Sequence, residues 1–312
     1  MKRILSLLCL LTAVLTLLSF SACGTSEEGS GTRDEASDTQ SGLYQIENYQ
    51  SDEVFDIEEV SLSSDNAQRC KTYTFRFLSD GYRIRGYLSL PTSAVSSNEP
   101  CKCILFCRGG NANMGPMNDS YTSYICSVTG RAVIAAELRG AGDSEGADQF
   151  GGDDLHDVIK LVDLCEKHFS FVDMADFCVV GTSRGGMSAY MAARLDKRIR
   201  RIIAISAVSD LFRSYEERDD MKEVMESLIG CTPEENPAEY EKRSAICWTD
   251  EITVPVMIFH STNDERVSYA QAQEMYEKLK DNIDCTLITH DDDRHGDILP
   301  EDYKTINEWL AP

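Results

Sequence analysis

Basic residues are scarce in this chain of 312, where 30 Lys and Arg face 53 Asp and Glu for a formal net charge of −23. Such a surface favours solubility and excludes a polyanion such as nucleic acid as a partner. The one basic cluster, Arg194, Lys197, Arg198, Arg200 and Arg201, reads as a solvated helix end leading into a strand. A glycine-rich phosphate loop and a cofactor motif are both missing, so no cofactor is expected. Asp153, Asp154, His156 and Asp157 bear on a metal site, but acidic residues opening a helix account for that run and no metal is expected. Histidine is sparse too, with five in the whole chain.

A long apolar run occurs at residues 4–20, preceded by Lys2 and Arg3 and followed by Ser21, Ala22 and Cys23. That is the layout of a secretory signal. Cys23 after Ser21 and Ala22 resembles the lipobox of bacterial lipoproteins, in which the cysteine is lipidated and becomes the mature N-terminus; Phe20 departs from the usual Leu. A plain cleaved signal and an uncleaved anchor helix are the alternatives, the run being at the short limit for spanning. Residues 24–42 contain no aliphatic side chain larger than Ala36 and form a tether whose random-coil span is about 24 Å. The expected organisation is a signal peptide over 1–22, a flexible tether over 23–42 and one domain over 43–312. The expected location is the outer face of a bacterial membrane, held by the N-terminal lipid. Without Lys2 and Arg3 the mature net charge is −25.

Twelve cysteines would ordinarily imply disulfides in an exported protein. Their placement argues otherwise. Cys101, Cys103 and Cys107 share one face of a strand pattern and look like small buried hydrophobes, and Cys178 and Cys285 also lie in strand-like runs. A bridge between Cys231 and Cys247 stays open.

Residues 72–78 and 82–90 alternate polar and apolar side chains around Ser79-Asp80-Gly81, so the domain is expected to open with a β-hairpin. Short, nearly continuous apolar runs follow at 103–107, 132–136, 177–180, 202–206, 254–260 and 285–289, the pattern of strands covered on both faces. Helical segments at 154–168, 187–195, 270–280 and 302–310 alternate with them, predicting an α/β fold with a doubly wound, mostly parallel sheet. Residues 210–250 interrupt the alternation as a polar helical insertion, expected to cap a site at the carboxyl ends of the strands.

Gly181-Thr182-Ser183-Arg184-Gly185 matches G-x-S-x-G between a strand and a helix, the arrangement that projects a serine hydroxyl above a sheet. A serine needs a base, and the base an orienting acid; the chain order in this architecture is Ser, then Asp or Glu, then His. Asp264 and His295 follow Ser183 in that order, each just past a strand. Glu265 and Asp250 compete for the acid and His290 for the base, but His290 falls where its strand still runs. Activity is expected to fall on the acid side of neutral, where an imidazole base is protonated. The oxyanion donors are expected to be the main-chain N–H groups of Arg184, after the nucleophile, and of Gly110 in the loop after an early strand.

Taken together, these motifs resemble the catalytic domain of the prolyl oligopeptidase family of α/β-hydrolases, with the dienelactone-hydrolase-like esterases as close relatives. The resemblance runs from about Thr72 to Leu310 and includes S-D-G-Y-R-I-R-G-Y-L-S-L-P, R-G-G, E-L-R-G-A-G-D-S, G-T-S-R-G-G, T-P-E-E-N-P-A-E-Y, H-S-T-N-D-E-R-V and R-H-G-D. It implies Ser183 as nucleophile, Asp264 as acid, His295 as base, and Gly110 and Arg184 as oxyanion donors. Arg108 stands where related H-G-G motifs carry histidine, and Arg184 is expected to place a cation along the site. About 30 residues lie between the tether and the first expected strand, too few for the family's propeller, so peptidase activity does not follow from the resemblance. The expected function is a serine hydrolase acting on a small ester or peptide-like amide through an acyl-enzyme, with ester cleavage favoured. An exopeptidase on short peptides is the enzymatic alternative, and a binding lipoprotein without catalysis the non-enzymatic one.

Overall fold

The structure is a computed structural model that describes residues 43–47 and 49–311. The expected signal peptide, the expected lipidation site Cys23 and the expected tether lie outside the described residues. Among the described residues nine strands are present: β1 (Val54–Val60), β2 (Cys70–Ser79), β3 (Tyr82–Pro91), β4 (Cys101–Cys107), β5 (Ala132–Glu137), β6 (Val172–Thr182), β7 (Arg201–Ile205), β8 (Val256–Ser261) and β9 (Cys285–His290). The helices are the short α1 (Ser64–Ala67) and α2 (Thr92–Ser97), then α3 (Asp119–Thr129), α4 (Leu155–His168), α5 (Arg184–Leu195), α6 (Leu211–Glu217), α7 (Asp219–Ile229), α8 (Pro237–Glu241), α9 (Tyr269–Leu279) and α10 (Pro300–Trp309).

All nine strands form one sheet in the order β1-β2-β3-β5-β4-β6-β7-β8-β9. Pairing is antiparallel from β1 to β3 and between β3 and β5, and parallel from β5 through β9. The apolar runs are continuous because side chains on both faces are buried. Cys103, Leu105 and Cys107 of β4 face the layer that holds α4, α5 and α9, while Ile104 and Phe106 face Ile125 of α3 and Ile306 of α10. The β2–β3 hairpin closes on Asp80 and Gly81, both at positive φ (50° and 84°), the conformation a two-residue hairpin turn with matching twist requires.

Besides the short α1 and α2, two elements depart from the sequence expectation. The sheet opens with β1 and not with the hairpin; a register irregularity between Phe55 and Glu58 breaks the alternation that marks a strand. Helix α3 was not anticipated, because the residues it buries are Thr122, Ser123, Ile125 and Cys126, which give little apolar stripe. The ten cysteines among the described residues are all free thiols, Cys231 and Cys247 included.

After β4 the chain moves to β5 on one side, then crosses to β6 on the other. The loops leaving β4 and β6 therefore part toward opposite faces of the sheet. That switch point leaves a crevice beyond the carboxyl ends of two adjacent strands.

Candidate active site

Ser183 occupies that crevice, between the last residue of β6 and the first of α5, with φ 56° and ψ −123°. A non-glycine residue in that region is strained and is held only where its surroundings over-determine it. Here the Ser183 N–H donates to the Ile205 carbonyl (2.9 Å), and the Ser183 carbonyl accepts from Gly186 (2.9 Å) and Val208 (3.1 Å). Glycine is required around it for close approach. A Cβ on Gly181 would lie 2.1 Å from the Gly185 carbonyl oxygen, one on Gly185 2.0 Å from the Cys107 carbonyl oxygen, and one on Gly186 2.2 Å from the Ala207 Cβ.

Asp264 comes from the loop after β8 and His295 from the loop after β9. His295 Nε2 is 2.9 Å from Ser183 Oγ, and His295 Nδ1 is 2.8 Å and 3.0 Å from the two Asp264 carboxylate oxygens. With Nδ1–H donating to Asp264, Nε2 is left to accept the serine proton. Asp264 also accepts the N–H groups of Arg266 (2.9 Å) and Val267 (3.1 Å). Burial works to raise its pKa, but the bond from His295 and these N–H groups outweigh it and hold the carboxyl below the usual range. The neighbouring His260 donates from Nε2 to the Val267 carbonyl (2.9 Å), and burial pushes its imidazole pKa below the usual range. His290 lies 3.0 Å from Asp302 of α10, away from Ser183.

The loop after β4 lies against the serine, a Cβ on Gly109 being 3.2 Å from Ser183 Cβ. Gly110 adopts φ +74°, where a Cβ would meet the Met114 carbonyl oxygen at 2.0 Å, and its N–H finds no partner among the described residues. Arg184 opens α5, so its N–H has no acceptor within the helix. Two main-chain donors thus flank the serine. Arg108 organises this loop: its guanidinium donates to the carbonyls of Gly109, Ala112, Met114 and Gly115 and pairs with buried Glu137 at 3.1 Å. The substitution of the histidine of related motifs therefore leaves the loop internally tied.

The Arg184 side chain behaves differently from the sequence expectation. It is buried beneath the site, 2.6 Å from Asp148 and 2.8 Å from Asp154, and stacks 4.7 Å from the centre of the Phe150 ring. Two carboxylates neutralise it. Its remaining bond, 3.2 Å to the Gly110 carbonyl, ties the β4 loop to the 148–154 loop. Asp154 also accepts from Gly151 and Gly152, Asp157 pairs with Arg139 and His156 with Asp80, so each side chain of the acidic run has a structural partner among the described residues except Asp153, whose main-chain N–H donates to Gln149 (2.9 Å).

Above the serine lies a cleft of about 580 Å³. Met114 and Phe150 form one side and Leu211, Met221 and Met225 of the 210–250 insertion another, with Val267 next to the acid loop. The insertion is helical and lines the site as expected.

The sequence pattern of the prolyl oligopeptidase family matches residues 117–311, a span that contains Ser183, Asp264 and His295. An uncharacterised peptidase of Bacillus subtilis (strain 168), YtmA, is 30% identical over 215 residues, covering 69% of this chain and 81% of that protein. Among solved structures, the acylaminoacyl peptidase of Pyrococcus horikoshii superimposes with a TM-score of 0.68 at 21% identity, covering 81% of this chain and 44% of that one. The acetyl xylan esterase of Paenibacillus sp. R4 superimposes with a TM-score of 0.65 at 17% identity, covering 82% and 88%. These two likenesses show the α/β-hydrolase fold. The chain spans less than half of the acylaminoacyl peptidase.

Proposed function

This chain belongs to the prolyl oligopeptidase family, and from that premise we propose that it is a serine hydrolase cleaving small esters, or peptide-like amides, through an acyl-enzyme on Ser183. The observation that carries the reading is the unbroken hydrogen-bond path from Asp264 through His295 to Ser183 Oγ. In the first half-reaction His295 Nε2 takes the serine proton as Oγ attacks the acyl carbon, while Asp264 steadies the imidazolium. The Gly110 and Arg184 N–H groups receive the charge that develops on the carbonyl oxygen. His295 then delivers its proton to the leaving group, and water releases the acyl group by the same steps in reverse.

Esters are the favoured class, because an alkoxide or phenoxide leaves with less help from the acid than an amine does. An exopeptidase acting on short peptides is the second reading, favoured by the likeness to YtmA, an uncharacterised peptidase. Matched 4-nitrophenyl esters and aminoacyl 4-nitroanilides separate the two. Ester turnover with a burst of nitrophenol and negligible anilide cleavage is expected; anilide cleavage at comparable kcat/KM would replace the esterase reading with the peptidase one.

The same proposal includes export and lipid anchoring at Cys23. Its support is the sequence of residues 1–23; among the described residues no helix is long and apolar enough to cross a membrane. Release of Cys23→Ala from the membrane fraction is the expected result, and retention there would overturn lipid anchoring.

A further inference from the structure

The charge bias of the chain reverses at its cleft. Acidic residues outnumber basic ones 53 to 30 overall, yet with Arg184 buried beneath the site the charged side chains along the cleft beside His295 are Arg218 and Arg266 against Asp220. Arg184 is neutralised from below by Asp148 and Asp154. Arg218, between α6 and α7, holds exposed Asp220 in a bidentate pair at 2.8 Å and 2.7 Å, and its third donor meets the Arg266 main-chain carbonyl at 2.8 Å. That bond ties the insertion to the loop that carries Asp264. The Arg266 side chain is left over. It is exposed, and among the described residues it makes neither an ion pair nor a side-chain hydrogen bond.

A guanidinium without a partner at the wall of an apolar cleft costs nothing while it is hydrated, and offers a planar fork of donors matched to a carboxylate. Met114 and Met221 supply apolar contact in the same cleft. We propose that Arg266, on the loop that Arg218 ties to the insertion, receives a carboxylate, so that the substrate of this hydrolase joins an apolar segment to a free carboxylate group. The inference rests on the hydrolase reading of Ser183. A singly charged carboxylate is favoured over a phosphate dianion, because the repulsion from a chain of strongly negative net charge grows with the charge of the ligand. Attraction by the arginines is local and survives that repulsion at short range, where a Debye length of about 8 Å screens the distant acids.

The test measures kcat/KM for two matched pairs. In one, 4-nitrophenyl hemiadipate against 4-nitrophenyl hexanoate, the carboxylate is on the acyl part. In the other, an N-acetyl dipeptide with a free against an amidated C-terminus, it is on the leaving part. The expected result is a preference of about threefold or more for the carboxylate in at least one pair, the size of one exposed ion pair. The preference resides in KM and shrinks between 20 and 300 mM salt by the nature of an exposed ion pair. Arg266→Gln brings the ratio to about one, Arg266→Lys restores part of it, and Arg218→Gln lowers it. Fluorophosphonate labelling of Ser183 in each variant reports whether its site is folded, and the salt dependence of the unsubstituted protein stands if a variant is not. A ratio near one in both pairs, or a ratio that survives Arg266→Gln, overturns the carboxylate assignment while leaving the hydrolase intact. No turnover of any substrate together with no labelling of Ser183 removes the hydrolase reading and this inference with it.

Discussion

Replacing Gly185 by alanine asks whether the tight strand-to-helix turn sets activity beyond the three side chains themselves. The new Cβ would sit 2.0 Å from the Cys107 carbonyl oxygen and 2.5 Å from that of Arg108, and real Cβ atoms essentially never come within 3.0 Å of another heavy atom. Both obstacles are backbone, so neither rotates away. Helix α5 and the end of β4 must separate by about 1 Å to restore ordinary contact. Ser183 immediately precedes that helix, and the β4 loop carries Gly110, so the separation opens the distance between the nucleophile and one oxyanion donor. A misplacement of about 1 Å costs about 10²-fold in rate, and overpacking of this kind costs about 1–3 kcal/mol in stability. The assay is kcat on 4-nitrophenyl hexanoate, with the folded fraction fixed by near-ultraviolet circular dichroism and thermal unfolding. Gly130→Ala is the control: it also has positive φ (64°), ends α3, and has no atom within 4 Å of the added Cβ. It is expected to lose about 1 kcal/mol of stability and to retain its turnover. A Gly185→Ala protein that is folded and within threefold of the original kcat would refute the reasoning.

Asp264→Asn keeps an acceptor for the Arg266 and Val267 N–H groups but no longer fixes the His295 tautomer; kcat is expected to fall about 10³–10⁴-fold, measured by steady-state ester kinetics, with the fold retained. Arg108→Met strands the buried Glu137 carboxylate and releases four loop carbonyls. It is expected to destabilise by about 3–5 kcal/mol in denaturant unfolding, and Arg108→Met with Glu137→Gln to recover part of that loss. Asp148 is held below the ordinary carboxylate range because its bonds to Arg184 and to main-chain N–H groups outweigh the effect of burial. Its unfolded value is about 3.9, so its contribution is fully present above that pH and is lost as pH falls through the lower folded value. The stability gap between the original protein and Asp148→Asn is therefore expected to narrow in urea midpoints taken from pH 5 down to pH 3; a gap that widens would contradict the sign.

The features that were readable in the sequence are those with a local signal. Ser183 announces itself through the glycines that its turn requires, and Asp264 and His295 through their order and their places after apolar runs. The covered strands were readable because burial on both faces leaves no polar gap, as in the run from Cys103 to Cys107. The unread parts have signals spread over the chain. Arg184 finds Asp148 36 residues away and Asp154 30 residues away, and nothing periodic links them, so the expected site cation became a buried tie between two loops. Arg108 and Glu137 escaped notice for the same reason. β1 was hidden by its bulge, and α3 by a buried face of small and hydroxylic residues. The carboxyl-end geometry of the sheet, not any one motif, brings these distant residues together.

The most direct measurement is reaction of the purified protein with a fluorophosphonate probe, alongside Ser183→Ala and His295→Ala, with the adduct located by mass spectrometry. One adduct is expected, on Ser183, with none in the Ser183→Ala protein and strongly slowed labelling in the His295→Ala protein. A folded protein that stays unlabelled, or is labelled at another residue with Ser183 untouched, would contradict it.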